Sequence, residues 1–415
     1  MANLNLKNLS KIYPSGALAL YRLNLTLNDG EFVAVVGGEK CGKTTLLRLV
    51  AGLDDATEGT IEVGDKDVTQ VAAKDRDMAM IFQGNTLYPS ISIYENLAYG
   101  LKVRKTSPTV TEQRVKAVAE VLGLTEYLGR KPKALTAEQK QKTAIGRAVV
   151  REPKIYLLDD PIAGLTPEVR ENLRSLLINL QMRLKGTFVY ATKNVNEAVT
   201  MATRMVVLRD GFLQQVDTPA NLYDYPANAY VAFIVGSPTV NFVNNATIER
   251  EGDKVYAVSG GVRFALPESI VARFGEIDWY AGTGKKVILG IRPEDASLAK
   301  EGEEGEFKAK VTAVEEIAGS YYAECEGEKL AFAVKLGGKR EGDKAPVGKD
   351  DAVCVKCDLS HALLFDAESR LTLLARDDGY KKTDFADADF IPLPYPEEEQ
   401  LKKKHSLSNV AKKKK

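Results

Sequence analysis

The sequence predicts an α/β domain, a small all-β domain of the barrel type and a polar tail, in that order. Residues 1–235 alternate short apolar runs with helical stretches, which is typical of an α/β domain. In residues 236–375, short alternating strands are separated by glycine-rich turns, which indicates a small barrel. Residues 376–415 are polar and rich in proline and lysine, so we expect this tail to lack a packed core.

The individual elements follow from the spacing of apolar residues. Short apolar runs bounded by turn residues predict strands, and apolar residues three or four positions apart predict helices. A Gly-Ser-Pro segment at 236–238 predicts the linker between the two domains. In the first domain, the predicted strands are Phe32–Val36, Ala79–Phe82, Ile155–Asp159, Thr187–Thr192 and Met205–Leu208, and the predicted helices are Lys43–Leu53, Thr111–Leu124, Thr136–Val150, Pro167–Leu184 and Asn194–Ala202. In the second domain, the predicted strands are Lys254–Val258, Lys286–Gly290, Phe307–Val314, Tyr321–Glu326 and Ala352–Leu359.

A glycine-rich loop joins the first of these strands to the first helix. The run GGEKCGKTT, residues 37–45, matches the phosphate-binding loop pattern G-x-x-x-x-G-K-[ST] in the strand–loop–helix context that the pattern requires. Backbone N–H groups at a helix start bind anions. We expect Lys43 to reach the β- and γ-phosphates of a nucleoside triphosphate and Thr44 to hold Mg²⁺. The predicted binding residues of the loop are Gly37, Gly38, Glu39, Lys40, Cys41, Gly42, Lys43, Thr44 and Thr45.

The composition narrows the class of protein. Lysine plus arginine and aspartate plus glutamate each number 57, so the net charge is 0 and no overall field favours nucleic acid or membrane. The amino terminus lacks the apolar core of a signal peptide, and no apolar run approaches the roughly 20 residues of a membrane span. With 4 cysteines, a disulfide framework is not indicated. We therefore expect a cytoplasmic protein.

Further segments follow the loop in a fixed order. They are IFQGNTLYP with Gln83, LTAEQ at 135–139, IYLLDDP at 155–161 and YATKN at 190–194. Together with the loop, they resemble the ATP-binding cassette (ABC) family of phosphate-loop ATPases. The segments IYENLAYGLK (93–102), AIGRAVVREPK (144–154) and RDGFLQQVDTPANLYDYPAN (209–228) are similar to the ATPase subunits of bacterial carbohydrate importers of the maltose and multiple-sugar type. GIRPED (290–295) is similar to the start of that group's OB-like (TOBE/MOP-type) carboxyl-terminal domain.

The resemblance implies roles for individual residues. Tyr13 matches the aromatic residue that stacks on adenine, although a plain strand-end aromatic is the alternative. Gln83 matches the glutamine that contacts Mg²⁺ and the attacking water, with a surface amide as the alternative, and Asp159 matches the carboxylate that holds Mg²⁺. The resemblance thus implies ATP with Mg²⁺, and Thr44, Gln83 and Asp159 as metal ligands. The signature segment that grips ATP on a second cassette would be Leu135, Thr136, Ala137, Glu138 and Gln139.

Several positions around the γ-phosphate depart from the family pattern. Glu39 and Lys40 replace small residues of the loop, and two like charges about 4 Å apart repel by roughly 1 to 4 kcal/mol. Lys40 offsets that repulsion in one interpretation, and both side chains point to solvent in the other. Asp160 replaces the glutamate that polarises water and is one methylene shorter. Lys193 replaces the switch histidine, and Thr166 replaces an aspartate that crosses the dimer.

The signature also departs, since LTAEQ replaces LSGGQ. Thr136 and Gln139 keep the spacing of a capping box, so we expect the helix start to persist. Glu138 either stabilises the first helical turn or neutralises the helix end that would grip a phosphate. Because Ala137 and Glu138 replace the two glycines of LSGGQ, the backbone cannot approach a phosphate closely. With catalytic candidates Asp160, Lys193 and Gln83 in this altered setting, we expect ATP binding with weak hydrolysis.

The resulting hypothesis is an ATP-binding importer subunit, peripheral on the cytoplasmic face of the membrane. Its partners would be membrane permease subunits, docked on the region 85–102, and indirectly a solute-binding protein. Repulsion between Glu39 and the partner's Glu138 favours a heterodimer with a second ABC ATPase over a homodimer. The alternative function is a regulatory ATP sensor that does not hydrolyse ATP. The lysines at 402–415 indicate a solvated tail or contact with anionic lipid, and no feature indicates nucleic acid.

Overall fold

The computed structural model describes residues 3–84, 87–299, 305–317, 319–338 and 345–376. These residues form two compact units, 3–219 and 220–376. The predicted tail lies almost entirely outside the described residues, as do positions 85 and 86. No helix in the described ranges combines the length and the apolar character that crossing a membrane requires.

The first unit is built on a six-stranded sheet in the order β10-β9-β3-β8-β7-β6. Every neighbouring pair is parallel except β10 with β9. All residues of β3 and β8 are buried, which explains their continuous apolar sequences, because strands of a parallel sheet are covered on both faces. The strands of this sheet are β3 (Phe32–Gly37), β6 (Met78–Ile81), β7 (Ile155–Asp159), β8 (Thr187–Ala191), β9 (Arg204–Arg209) and β10 (Phe212–Asp217).

A second, antiparallel sheet in the same unit was not predicted. Its four strands lie in the order β2-β1-β4-β5. Every second residue at the start of β1 is buried, as in a strand with one face on a core. The strands are β1 (Leu4–Ile12), β2 (Leu18–Leu27), β4 (Glu58–Val63) and β5 (Lys66–Asp67).

The helices of the first unit pack around an apolar core that includes Phe32, Leu97, Ile145, Leu173 and Phe188. Helix α2, on the region predicted to dock a permease, starts with a capping box between Ser92 and Glu95, as its sequence pattern permits. The helices are α1 (Lys43–Ala51), α2 (Ile93–Val103), α3 (Pro108–Leu122), α4 (Ala137–Val149), α5 (Pro167–Leu184) and α6 (Val195–Met201), and α7 (Pro219–Asp224) follows at the boundary of the units.

The second unit contains two five-stranded antiparallel sheets, in the orders β13-β12-β11-β14-β20 and β15-β19-β16-β17-β18. Both contribute to one core, with Phe264 and Leu289 from the first sheet and Val311 and Phe332 from the second. The strands are β11 (Asn241–Glu251), β12 (Lys254–Ser259), β13 (Val262–Leu266), β14 (Lys286–Ile291), β15 (Ala296–Leu298), β16 (Phe307–Ile317), β17 (Ser320–Glu326), β18 (Ala331–Gly338), β19 (Ala352–Cys357) and β20 (Leu363–Asp366). The helices are α8 (Ala229–Ile234), α9 (Glu268–Arg273) and α10 (Ile277–Thr283).

The predicted fold class is confirmed: an α/β unit is followed by a β-rich unit. Each predicted strand and helix is present, with ends that differ by up to three residues. The second unit is not purely β, because α9 and α10 interrupt its strands. Their short apolar stretches are too brief to show a helical period in the sequence.

A buried arginine organises the start of the second unit. One Arg292 nitrogen, Nη1, donates to the carbonyl oxygens of Ala232 and Val235 at 2.9 Å each, and Nη2 donates to that of Tyr223 at 2.8 Å. Burial lowers the pKa of Arg292 to about 10, so the side chain remains charged at neutral pH. This cation satisfies carbonyls at the end of α8, where the helix dipole also favours it.

Because of these contacts, the segment 220–235 groups with the second unit, whereas the sequence analysis placed it in the first domain. Compactness does not establish which segment folds independently. The domain boundaries 1–235, 236–375 and 376–415 therefore remain predictions.

Replacing Arg292 with methionine should destabilise the second unit. The substitution leaves three buried carbonyl oxygens without a charged donor, which we expect to lower the free energy of unfolding by about 2–4 kcal/mol. Urea unfolding followed by tryptophan fluorescence measures this directly, since the chain has 1 tryptophan, Trp279, in this unit. Arg263→Met is the matched control, because that arginine is 41% exposed and pairs with Glu251 at the surface, so its loss should change stability far less. Equal unfolding midpoints for the two variants would contradict the assignment.

Candidate nucleotide-binding site

The phosphate loop connects β3 to α1, and two of its glycines are required by the geometry. Gly37 has φ 149° and Gly42, which caps α1, has φ 106°. A Cβ atom on Gly37 would lie 2.1 Å from the carbonyl oxygen of Leu208, and one on Gly42 would lie 2.5 Å from that of Ala19. Any larger residue would therefore displace the backbone that presents the N–H groups of the loop.

Lys43 lies inside this loop. Its side chain is buried, and its ammonium donates to the carbonyl oxygens of Gly37 at 2.9 Å and Gly38 at 2.7 Å. The third acceptor is Cys41 Sγ at 3.4 Å, a buried thiol whose pKa is raised by burial. These three acceptors are neutral groups, so the positive charge of the buried ammonium favours binding of an anionic ligand.

Thr44 and Asp159 meet beside the loop. The Thr44 hydroxyl donates to Asp159 Oδ1 at 2.9 Å, and Asp159 is the last residue of β7, which lies between β8 and β6 in the sheet. Burial raises the pKa of Asp159, while the hydrogen bond from Thr44 and the Lys43 charge lower it. A hydroxyl and a carboxylate are oxygen ligands of the kind that Mg²⁺ takes in proteins. Gln83, the third predicted ligand, is exposed and follows β6, which pairs with β7 at the same edge of the sheet.

Tyr13 lies next to the carboxyl-terminal end of the loop. Its hydroxyl is 3.2 Å from Thr45 Oγ1 and donates to Asp54 Oδ2 at 3.4 Å. The Lys11 ammonium lies 5.2 Å from the centre of the ring. The structure thus places a half-buried aromatic ring beside the loop, and its stacking on adenine remains a prediction.

Asp160 follows Asp159 in a left-handed conformation, with φ 46°. Its backbone N–H donates to the carbonyl of Ala191 at 2.8 Å, and its Oδ1 accepts from Thr192 Oγ1 at 3.3 Å. Burial raises the pKa of Asp160, and the nearby Glu197 carboxylate raises it further. The end of β8 therefore holds this acid in a place where its charge is disfavoured.

Glu197 was missed by the sequence analysis. It is buried and accepts from Tyr190 Oη at 2.9 Å, Thr192 Oγ1 at 3.3 Å and Asn194 Nδ2 at 2.9 Å. Asn194 in turn caps α6 and accepts from the Glu197 N–H at 3.4 Å. The Asn-x-x-Glu spacing is the sequence signal that points to this pair.

Lys193 and Glu39, two of the departures from the family pattern, bind each other. Lys193 Nζ donates to Glu39 Oε1 at 2.9 Å, and this hydrogen bond raises the pKa of Lys193. Glu39 is 78% exposed, in agreement with the interpretation that its side chain and that of Lys40 point to solvent, and its ion pair with Lys193 was not predicted. Lys40 is exposed and has φ 58°.

The predicted signature helix starts as expected. Gln139 N donates to Thr136 Oγ1 at 3.2 Å, and Thr136 N donates to Gln139 Oε1 at 3.0 Å, so the capping box is confirmed. Glu138 pairs with Lys142 at 2.8 Å, one helical turn later. Leu135 is buried beneath the turn, and Ala137 is the first helical residue. Thr166 caps α5 without a side-chain hydrogen bond.

Comparison with known proteins agrees with this geometry. Residues 20–163 match the ABC transporter family, and residues 236–296 match the MalK OB fold domain. The chain is 36% identical over 377 residues to the oligosaccharides import ATP-binding protein MsmX of Bacillus subtilis, covering 90% of this chain and 100% of that protein. The chain belongs to the ABC transporter ATP-binding family.

Two further similarities support the assignment to the ABC family. The diacetylchitobiose uptake system ATP-binding protein MsiK of Streptomyces coelicolor is 42% identical over 295 residues, which span 71% of this chain and 75% of that protein. The solved structure of cbiO1 from Clostridium perfringens, part of the ABC transporter complex cbiONQ, is 26% identical with a TM-score of 0.50, covering 54% of this chain and 90% of that chain. The family predicted from the ordered motifs is thereby confirmed, and with it an ATP-binding cassette.

The loop glycines of this ABC ATPase give a test of the site geometry. Gly42→Ala would force a Cβ against Ala19 and Leu20, so we expect ATP affinity to fall at least about tenfold, with a stability loss of about 1–3 kcal/mol. Gly123→Ala is the control, because Gly123 has φ 64° but no atom within 4 Å of the added Cβ. Its stability should fall by about 1 kcal/mol with unchanged ATP affinity. ATP affinity retained in Gly42→Ala would contradict the geometry.

The raised pKa of Asp160 predicts a pH-dependent effect on stability. The pKa of Asp160 is higher in the folded state than in the unfolded state, so protonation of Asp160 stabilises the folded protein at low pH. This stabilisation is lost as the pH rises through the pKa of the folded state. Asp160→Asn keeps the acceptor for Thr192 and removes that loss. The variant should therefore unfold at a higher temperature than the original chain at pH 7.5, and the difference should shrink on acidification.

Asp54→Asn provides a control of opposite sign. Hydrogen bonds from Arg48 at 2.8 and 2.9 Å lower the pKa of Asp54, so its stabilisation is present at neutral pH and is lost as pH falls through the folded pKa. This variant should unfold at a lower temperature than the original chain at pH 7.5. Calorimetry of the full chain at pH 7.5 and at successively lower pH checks both variants, and a destabilised Asp160→Asn at pH 7.5 would refute the interpretation.

Proposed function

We propose that this chain is the ATP-binding subunit of a carbohydrate importer, coupling ATP binding and hydrolysis to solute transport. The single observation that carries the proposal is the joined site of buried Lys43 and the Thr44–Asp159 pair, in a chain that also matches the MalK OB fold domain. The names of MsmX and MsiK refer to import and uptake of saccharides. This similarity favours an importer subunit over the alternative regulatory sensor.

We propose that the site holds ATP with Mg²⁺. Thr44, Asp159 and Gln83 would hold the metal, which when bound neutralises charge on the β- and γ-phosphates. Lys43 and the loop N–H groups would bind the phosphates, and Tyr13 would stack on adenine. Since Lys43 is already ordered on loop carbonyls, little rearrangement is required for an anion to enter.

Hydrolysis is proposed to be weak. A general base contributes about 10² to 10⁴ in rate, and a displacement of about 1 Å costs about 10²-fold. Asp160 is shorter than the family's glutamate and is held by Thr192 at the end of β8. Lys193 lacks the acceptor of an imidazole and is engaged by Glu39. Each feature lowers the rate of water attack without removing ATP binding.

Permease subunits are the proposed membrane partners. A cleft of 490 Å³ lies among β6, α2 and α4, lined by Phe82, Tyr99, Arg104, Arg147 and Arg151 among others. The Arg147 guanidinium stacks over the ring of Tyr88 at 4.6 Å, next to Tyr99. A concave surface with exposed aromatic rings suits an inserted helix of a membrane subunit. This placement would hold the protein peripherally at the cytoplasmic face, with a solute-binding protein engaged only through the permease.

For the second cassette we propose a different ABC ATPase subunit rather than a second copy. Glu39 and Glu138 each have a lysine partner here, so repulsion between them no longer supports the heterodimer. Support comes instead from the signature, where Ala137 and Glu138 replace glycines and prevent close approach to a phosphate. The lysines at 402–415 are proposed to contact anionic lipid, an attraction of about 1 kcal/mol per lysine near the surface.

The test is ATP binding and steady-state hydrolysis by the purified chain, measured in parallel. We expect ATP binding that is lost in Lys43→Ala, and turnover at least about 10²-fold below that of a cassette with the family pattern. The double variant Lys193→His/Asp160→Glu should hydrolyse ATP faster than the original chain, but more slowly than such a cassette, because the altered signature is unchanged. Brisk turnover by the original chain, abolished in Lys43→Ala, would show that the altered residues support hydrolysis.

The heterodimer is tested separately by mixing this chain with a candidate second cassette subunit. ATP should promote a mixed dimer that restores turnover. Self-association alone, with no mixed species in size-exclusion chromatography, would count against the heterodimer and leave the ATP site unaffected.

A further inference from the structure

The cleft among β6, α2 and α4 exposes several large apolar side chains. Phe82, Tyr99 and Val103 line it, and these residues are 37%, 43% and 66% exposed. A cluster of exposed apolar side chains in a concave surface is typical of an interaction site. The volume of 490 Å³ accommodates the side chains of one peptide segment rather than a folded domain.

The charged side chains of this cleft are mostly cationic. Four cations and one carboxylate line it, namely Lys74, Arg104, Arg147, Arg151 and Asp75. They leave an excess of three positive charges among the described lining residues. Complementary charge steers a partner to such a surface, and partners of like charge are excluded. An acidic segment is therefore the favoured occupant.

Arg104 and Arg151 are incompletely neutralised by the described residues. Burial lowers the pKa of Arg151, and the positive charge of Arg104 lowers it further. Arg151 Nη2 donates to the carbonyl oxygen of Met78 at 3.2 Å, but its buried Nε has no hydrogen-bond partner within the described part of the chain. Asp77 lies 3.9 Å from Arg104, at the limit of an ion pair. A carboxylate that enters the cleft would be attracted by both guanidinium groups and would reduce their mutual repulsion.

The tail of this chain contains a segment of the complementary chemistry. Residues 384–399, DFADADFIPLPYPEEE, include six acids and no lysine or arginine, so their net charge is −6. The same residues include large apolar side chains that suit the exposed patch of the cleft, namely Phe385, Phe390, Ile391, Leu393 and Tyr395. Three prolines, at 392, 394 and 396, restrict φ and so reduce the entropy that is lost when the segment binds.

The segment is joined to the described part of the chain by a short stretch of sequence. The described residues end at Arg376, and 14 residues separate Arg376 from Phe390. Fully extended, 14 residues span at most roughly 50 Å. A domain of about 200 residues has a diameter of roughly 45 Å. The length of the tail therefore suffices for Phe390 to reach a surface one domain away, and attachment to the same chain raises its effective concentration there.

We propose that residues 384–399 of the tail bind in this cleft of the same chain. The carboxylates of the segment pair with Arg104 and Arg151, and its aromatic side chains pack against Tyr99 and Val103. The segment then occupies the cleft that we proposed for a permease helix, so it is an autoinhibitory segment. This consequence rests on the proposed function and adds a form of regulation to it. The tail of a second copy is the alternative occupant.

The test is photo-cross-linking within the full chain, with p-benzoylphenylalanine in place of Phe390 and, in a second protein, in place of Phe385. Cross-links mapped by mass spectrometry should fall on residues that line the cleft. Arg104→Glu should lower their yield about fivefold, because it replaces attraction by repulsion. An ionic strength of about 1 M should lower the yield as well, because salt screens the charges.

Arg114→Glu is the matched control for Arg104→Glu. The Arg114 side chain is 36% exposed, close to the 41% of Arg104, and it pairs with Glu152 at 2.9 Å on a surface outside the cleft. This variant should leave the yield of cleft cross-links unchanged. A yield that falls equally in both variants would overturn the assignment of the cationic cleft as the docking site.

A mixture of ¹⁵N-labelled and unlabelled chains distinguishes the two occupants. Cross-links within one isotopic species support docking in the same molecule, whereas cross-links between the species would overturn it in favour of a second copy. Absence of cleft cross-links from both probe positions would overturn the docking and leave the proposed permease contact in place. The experiment requires neither ATP nor a permease, so failure of the proposed function in the hydrolysis test would leave its result unchanged.

Discussion

The buried ammonium of Lys43 is the interaction on which the rest of the site depends. It donates hydrogen bonds to the carbonyl oxygens of Gly37 and Gly38. Because these acceptors are neutral, the positive charge of Lys43 can attract an incoming anion. The tight turns that orient these carbonyls require glycine at 37 and 42, because β9 and β2 approach the loop closely. The parallel sheet supplies the frame by bringing the ends of β3, β7 and β8 to one edge, where acids and cations meet.

Much of this arrangement was predictable from the sequence, and particular residues show why. The continuous apolar runs of β3 and β7 identify buried parallel strands, and the loop pattern fixes Lys43 and Thr44 beside them. The capping box at Thr136 and the pair of Glu138 with Lys142 follow from helical spacing alone. Thr44 was expected at the metal from the loop pattern and Asp159 from the family resemblance, and the structure brings the two into contact. The network around Glu197 was missed, although its Asn-x-x-Glu spacing is visible in the sequence.

Other features depend on tertiary contacts that no local pattern records. Glu39 and Lys193 lie 154 residues apart, so their pairing arises only when β8 lies beside β3. Taken singly, Glu39 and Lys193 each indicated a weakened site. In the structure, their opposite charges form an ion pair. Arg292 likewise required the fold, since its acceptors at 223, 232 and 235 come from a segment that the sequence assigned to another domain. Departures from a family pattern are therefore best judged in pairs, after the fold is known.

The role of Lys43 is tested most directly by an experimental structure of the chain with Mg²⁺ and the β,γ-imido analogue of ATP. We expect the triphosphate to occupy the loop, with Lys43 Nζ on the β- and γ-phosphates and with Thr44 and Asp159 beside the metal. A structure in which the triphosphate lies outside the loop, while Lys43 remains on the carbonyl oxygens of Gly37 and Gly38, would contradict this role.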